Sequence, residues 1–389
     1  MSERTPDTDL PYDGDLRRNT PLALKLKDRI RAEGPVTIAE YMRACLCDPE
    51  HGYYVKQQGI GAQGDFVTAP EISQIFGELI GLWSAVVWQQ MGMPQRFNLV
   101  ELGPGRGTML QDALRATKIV PGFLDAATLI LVDVAPTDRL ADVFAAHLPR
   151  TRVHHLHNVG GIPGDIPTIL VGNEFLDTCP VQQYVVQPDR VVIRAIGLDS
   201  NDRLDFVTRP CGDQNDTADV FAANPGLRDA DCYEAQDLSV LHKLRMHRTA
   251  PWTALFLDYG HYDPQRGEDH QAVGETFQAV RNHKYEHPLT SPGEADLTCQ
   301  VDFNDVKRWL EHNLSHDVPP VVVDGPITQA EFLGALGIME RASRLMTANP
   351  KIAHEIELAV ARLMAVTGMG NRFKVIGARS PSLPRLPGF

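Results

Sequence analysis

From residue 97 onward the chain keeps repeating one pattern: a short, largely apolar run, then a stretch with helical spacing. The runs are FNLVELG (97–103), TLILVDV (128–134), RVHHL (152–156), TILVGNEF (168–175), TALFLDYG (253–260), PPVVVDG (319–325) and FKVIGA (373–378). Helical patterns fall at about 109–116, 137–147 and 328–365. Strands that are apolar on both sides must be covered on both faces. The pattern therefore predicts an α/β fold with a mainly parallel sheet between helices.

The rest of the chain is organised around that repeat. Residues 1–20 are polar and predicted to be flexible, and 21–95 form a helical N-terminal region. In it, Leu22, Leu26 and Ile30 share one helix face, Gly34-Pro35 stops that helix, and Thr37 caps the next one. A long apolar helix is expected over 71–90. The remainder, 96–389, is read as one domain with insertions at 181–250 and 263–312. The first insertion opens with a hairpin turning at Pro188-Asp189, followed by a polar, partly helical excursion over 201–250. The second is rich in Gly, His and Pro before a helix at 304–313.

Charge narrows the partners. Against 37 basic residues stand 50 acidic ones, a formal net charge of −13 over 389 residues. That balance repels phosphate backbones and anionic membranes and favours a cationic substrate. The six cysteines form no metal-binding spacing, and His154, His155 and His157 read as surface histidines, so no metal is expected. No run approaches the length of a membrane span. The N-terminal sequence lacks the features of a secretory or mitochondrial signal, so a bacterial cytoplasmic location is the expectation, or the mitochondrial matrix for a processed eukaryotic form.

The sharpest local signal is LVELGPGRGTML (99–110): a strand ending at Glu101, glycines at 103, 105 and 107, then a helix. A dinucleotide turn would need glycine at position 108, where Thr108 stands. The observed E-x-G-x-G-x-G is instead the pattern of class I S-adenosylmethionine methyltransferases. That donor has no pyrophosphate, so close backbone approach at Gly103, Gly105 and Gly107 matters more than an anion cradle. Glu101 is positioned to hold its ammonium group. Asp133, closing the second strand, suits the two ribose hydroxyls. In the methyltransferase strand order 3-2-1-4-5-7-6, strands 1 and 4 are neighbours, which places Asn173 and Glu174 before the donor methyl. Asn173 can accept from a substrate N–H, and Glu174 can pair with a cationic nitrogen. Asp177 would do the same or cap the next turn. Asp258 and His261 close a further strand, and His261 is either a base or a bystander. No hydrolase elbow, P-loop or zincin motif is present.

With HGYY (51–54), GDFVTAPEISQIFGELIG (64–81), VELGPGRGTM (100–109), GNEFLDTCPVQQY (172–184), LDYGHY (257–262), GEADLTCQVDF (293–303) and GPITQAEFL (325–333), the chain resembles the MidA-like family. That family includes the mitochondrial complex I assembly factor methyltransferases. The resemblance runs from about residue 20 to the C-terminus. It implies a class I Rossmann-like fold with a seven-stranded sheet, S-adenosyl-L-methionine as cofactor, and transfer to an arginine of a protein, in the mitochondrial members a complex I subunit. It also implies that 64–74, with Asp65, Glu71 and Gln74, and 293–303 border the substrate pocket. The family usually has Glu at the position of Asp133. Glu174 and Asp258 would steer the acceptor guanidinium. A non-catalytic assembly factor that merely binds the donor, and a methyltransferase for small molecules, are the rival readings; a homodimer is left open.

Overall fold

The computed structural model describes residues 15–56, 68–187, 190–211, 232–245, 248–264, 274–311 and 320–389. Contacts divide the chain into two units.

The larger unit comprises 67–177, 238–268 and 300–389. Its sheet contains β1 (Phe97–Leu102), β2 (Ala127–Val132), β3 (Val153–Leu156), β4 (Thr168–Asn173), β5 (Trp252–His261), β6 (Val322–Thr328) and β7 (Phe373–Arg379). They lie in the order β6-β7-β5-β4-β1-β2-β3. All neighbours are parallel except β7, which is antiparallel to both β5 and β6. An eighth, two-residue strand, Val301–Asp302, pairs with the end of β5. All six residues of β1 are buried, as expected of a strand at the sheet's centre with both faces covered. Between β1 and β4 the connections diverge to opposite sides, and in such sheets the crevice at the strands' carboxyl ends receives the ligand.

Helices Gln74–Gln90 and Thr108–Thr117 cover this region of the sheet. Their approach is too close for a side chain at Gly81, where a Cβ would lie 2.5 Å from the Ala113 carbonyl oxygen. The expected helix over 71–90 is interrupted: Ser73 is extended, and its hydroxyl caps Gln74–Gln90 by accepting from Ile75, leaving Ala69–Ile72 as a separate turn. The helix expected at 137–147 is regular only over Leu140–Val143. The stretch 328–365 breaks into Gln329–Ala335, Ile338–Ala348 and Ala353–Met364, with Gly337 and Asn349-Pro350 at the breaks.

The smaller unit comprises 1–66, 178–237 and 269–299. Thr20 caps Pro21–Glu33, and a Thr37–Glu40 capping box starts Ile38–Cys47. The apolar faces of both helices, including Leu26, Tyr41 and Met42, share a core with Val181, Ile196 and Leu297. The hairpin is present as Val181–Val186 and Val191–Leu198, though its turn at 188–189 lies outside the described residues. Two expectations need correction. The excursion at 201–250 is partly helical as expected, at Ser239–Arg245, but it also contributes strands Leu204–Pro210 and Cys232–Gln236 to the hairpin's sheet, and 278–298 forms a three-stranded antiparallel sheet. Leu204–Pro210 is mostly solvent-facing beyond Leu204, so its sequence reads as polar loop. The boundary expected near residue 95 is also displaced. Helices 21–47 group with the inserted strands, while 69–90 belongs with the central sheet.

Candidate active site

Four neighbouring strands, β2, β1, β4 and β5, end at the same edge of the sheet and carry the polar residues singled out above. Glu101 faces Val171 of β4 across the ladder, and Asn173 pairs in register with Leu257 of β5. After β1 the chain turns through Gly103, Gly105 and Gly107 at φ of 64°, 52° and 79°. The Gly103 N–H donates to the Val132 carbonyl, holding the turn beside β2. Gly107 serves packing: a Cβ there would lie 2.9 Å from Phe144 Cζ. Gly103 is exposed, and a Cβ on it would meet only the Phe175 ring, at 3.6 Å.

Glu101 is 4% exposed, and its Oε2 is buried with no hydrogen-bond partner. Burial, and secondarily the Asp133 carboxylate, push it well above the usual carboxylate range. A buried carboxylate oxygen without a donor is costly, and a ligand ammonium would relieve it. Asn173 Oδ1 is likewise buried and unbonded at the end of the adjacent strand. Asp133 accepts from the Ala135 N–H at 2.9 Å, and the His155 ring bonds its backbone carbonyl at 3.0 Å. His155 is thus a support for the second-strand acid, a task its sequence context does not reveal.

Glu174 sits at φ 50°, an uncommon conformation for a residue with a side chain. Its N–H donates to the Leu257 carbonyl. Its Oε1 accepts from the Ala69 N–H at 3.3 Å and from Asn173 Nδ2 at 3.2 Å. Burial lifts it to about 7, against the pull of those donors and of Arg362. Asp258 is 1% exposed. Its Oδ2 accepts from the Leu176 and Asp177 N–H groups and its Oδ1 from its own neighbour, Tyr259. Burial and the Glu174 charge push it upward. With both oxygens on backbone donors, Asp258 pins the loop that follows Glu174, a different task from the guanidinium contact expected for it.

The described residues expected to touch the acceptor make contacts within the protein. Glu71 Oε1 accepts from Thr108 Oγ1 at 2.6 Å. Gln74 is exposed and bonds Glu78 one helical turn on. Asp177 is 4% exposed. His261 Nε2 lies 3.5 Å from Asp302 Oδ2. Asp65 lies outside the described residues. Sequence reasoning missed the Ala69 N–H, since a backbone donor leaves no trace in residue type, and it used Thr108 only to exclude a dinucleotide turn. Among the described residues no group of three or more candidate ligands is arranged for a metal, and no helix is long and apolar enough to cross a membrane.

The model of a family described as "Putative S-adenosyl-L-methionine-dependent methyltransferase" matches residues 79–321. The mitochondrial protein arginine methyltransferase NDUFAF7 of Bos taurus is 32% identical over 384 residues, covering 92% of this chain and 83% of that protein. Its Homo sapiens counterpart is 32% identical over 381 residues, 91% and 82% of the two chains. A Burkholderia thailandensis protein crystallised with S-adenosyl-homocysteine superposes with a TM-score of 0.80 at 24% identity, over 96% of this chain and 97% of that one. At that identity the match establishes a shared α/β fold.

Proposed function

The chain belongs to the S-adenosyl-L-methionine-dependent methyltransferases, and from that premise we propose that it methylates a guanidinium nitrogen of an arginine in a protein. The observation that carries this reading is Glu174: a strained, largely buried acid beside the glycine turn, held by two donors on Oε1. The strand order supports a class I assignment in which β1–β7 are the seven family strands and Val301–Asp302 is an addition.

The residues present suit the donor. Glu101, with its unpartnered buried oxygen, would take the ammonium group; the exposed backbone at Gly103 allows close approach; Asp133 would hold the ribose. When bound, S-adenosylmethionine supplies an electrophilic methyl group on a sulfonium centre. The protein's task is then alignment and charge control. An arginine side chain is always protonated, with its lone pairs delocalised. Because both bonds to Glu174 fall on Oε1, Oε2 is the oxygen left for the acceptor. Pairing there draws positive charge away from the attacking nitrogen. As that nitrogen gains a methyl group it loses a proton, and a carboxylate near pH 7 is suited to accept it. Asn173 Oδ1 offers an acceptor for a second guanidinium N–H. Asp258 is a positioning residue, keeping Leu176 and Asp177 where Glu174 needs them.

By resemblance, the acceptor belongs to a subunit of respiratory complex I or its bacterial counterpart, with the bacterial cytoplasm as the proposed setting. The decisive experiment incubates the protein with labelled donor and host lysate and locates the methylated atom by mass spectrometry. Glu174→Gln should lower turnover by about a hundredfold or more while calorimetry shows donor binding retained. Full turnover in that variant would remove Glu174 from the mechanism. Donor binding with no methylated product in the wild type would favour a non-catalytic assembly factor.

A further inference from the structure

The turn Ala69–Ile72 touches the site at two points. At one end the Ala69 N–H donates to Glu174 Oε1 at 3.3 Å. Two residues on, Glu71 Oε1 accepts from the hydroxyl of Thr108 at 2.6 Å, a short bond. Thr108 is the first residue of the helix that follows the glycine turn. One residue, Pro70, separates the ends of this bridge, and extended Ser73 breaks the helix between it and the long helix behind. Thr68, preceding it, makes no side-chain cap. A four-residue helix has little stability of its own, so its place depends on tertiary contacts: Ala69 and Pro70 are buried, Ala69 and Ile72 pack into the core, and the bonds at Ala69 and Glu71 fix its polar side.

We propose that Glu71 is a positioning residue: through Thr108 it ties the 69–72 turn to the donor-binding turn and so holds the Ala69 N–H on Glu174. The tie couples the two halves of the site, because the segment that orients the acceptor carboxylate is anchored to the element that carries the glycine turn. The proposal rests on the role given to Glu174 above. It replaces the contact with the acceptor expected of Glu71 from the sequence.

Other groups also act on Glu174. Burial raises it, Arg362 from helix Ala353–Met364 lowers it, Asn173 donates from β4, and Glu174 in turn raises Asp258 on β5. Losing the Ala69 donor would leave burial less opposed, so Glu174 should hold its proton to higher pH.

The test uses the full chain. Without donor or acceptor, the gain in Tm caused by Glu174→Gln is measured across pH, first in the wild-type background and then beside Glu71→Ala or Thr108→Val. Removal of the tie should move the midpoint of that gain upward by about half a pH unit or more. The acidic limb of kcat/KM should move with it. Glu71→Gln and Thr108→Ser, which keep an acceptor and a donor, should stay near wild type. The double variant Glu71→Ala/Thr108→Val should be no worse than either single change. Thr108→Val tests the same tie should Glu71→Ala fail to fold. An unmoved midpoint would overturn the proposal, as would a higher acceptor KM with the acidic limb in place, the signature of direct contact. If the wild type methylates no arginine, the functional reading fails, while the midpoint without ligands still decides whether the tie exists.

Discussion

Glu174 has two properties that single-residue reasoning does not connect: a left-handed backbone and a carboxyl raised to about 7. Strain of this kind persists only where surrounding structure enforces it, and it concentrates at functional sites. Its raised value has a consequence for stability. In the unfolded chain the residue would ionise near 4.5, its ordinary value, whereas in the native protein it stays protonated to about 7. Between these values the native state binds more protons, so its contribution to stability is complete below 4.5 and is lost as pH rises through 7. Glu174→Gln should therefore raise Tm at pH 8, by the equivalent of about 1–3 kcal/mol, and change it little at pH 4. Activity should have the opposite dependence. In the wild type kcat/KM is expected to fall about tenfold per unit below pH 7, because the protonated acid cannot pair with a guanidinium. A flat profile from pH 5 to 8 would show that Glu174 does not titrate in the reaction. At this scale Glu101, Asp133, Asn173 and Glu174 were visible in the sequence as polar residues closing apolar strands. The assignment of Asp258 to a backbone staple was not, since a buried acid and a catalytic acid look alike until their partners are known.

Among the elements, the pair of helices Gln74–Gln90 and Thr108–Thr117 matters most to the site, since the second carries the glycine turn. Glycine in a helix interior ordinarily costs about 1 kcal/mol against alanine, so Gly81→Ala on an isolated helix would stabilise it. Here the sign should reverse. The new Cβ would lie 2.5 Å from the carbonyl oxygen and 2.6 Å from the Cα of Ala113, backbone atoms that cannot swing aside. Denaturation is expected to show a loss of about 1–3 kcal/mol, with weaker donor binding as the turn shifts. Gain of stability in that variant would show that the two helices can separate freely. The sequence announced the apolar helix over 71–90 but not its interruption at Ser73, because periodicity runs through a single extended residue. Strand Leu204–Pro210 was missed for the opposite reason: an exposed strand has the composition of a loop.

For the whole molecule, the formal charge of −13 should steer a basic segment towards the protein and leave donor binding nearly untouched. Raising ionic strength from about 0.05 to 0.5 M should increase KM for an arginine-containing basic peptide several-fold, with the donor Kd nearly constant. A salt-independent KM would confine recognition to the buried site. The sequence by itself determined that an α/β sheet is built, that its first strand ends in a glycine turn, and which acids close the neighbouring strands. Those properties are local, written in hydrophobic periodicity and in the residues a tight turn demands. Tertiary structure decided the rest. Helices 21–47 share a core with strands lying more than a hundred residues away, rather than with the helix that follows them. Asp258 was turned onto backbone donors, and Glu71 onto Thr108. Which atoms satisfy a buried carboxylate depends on what distant segments bring within hydrogen-bonding distance, and no spacing along the chain encodes that.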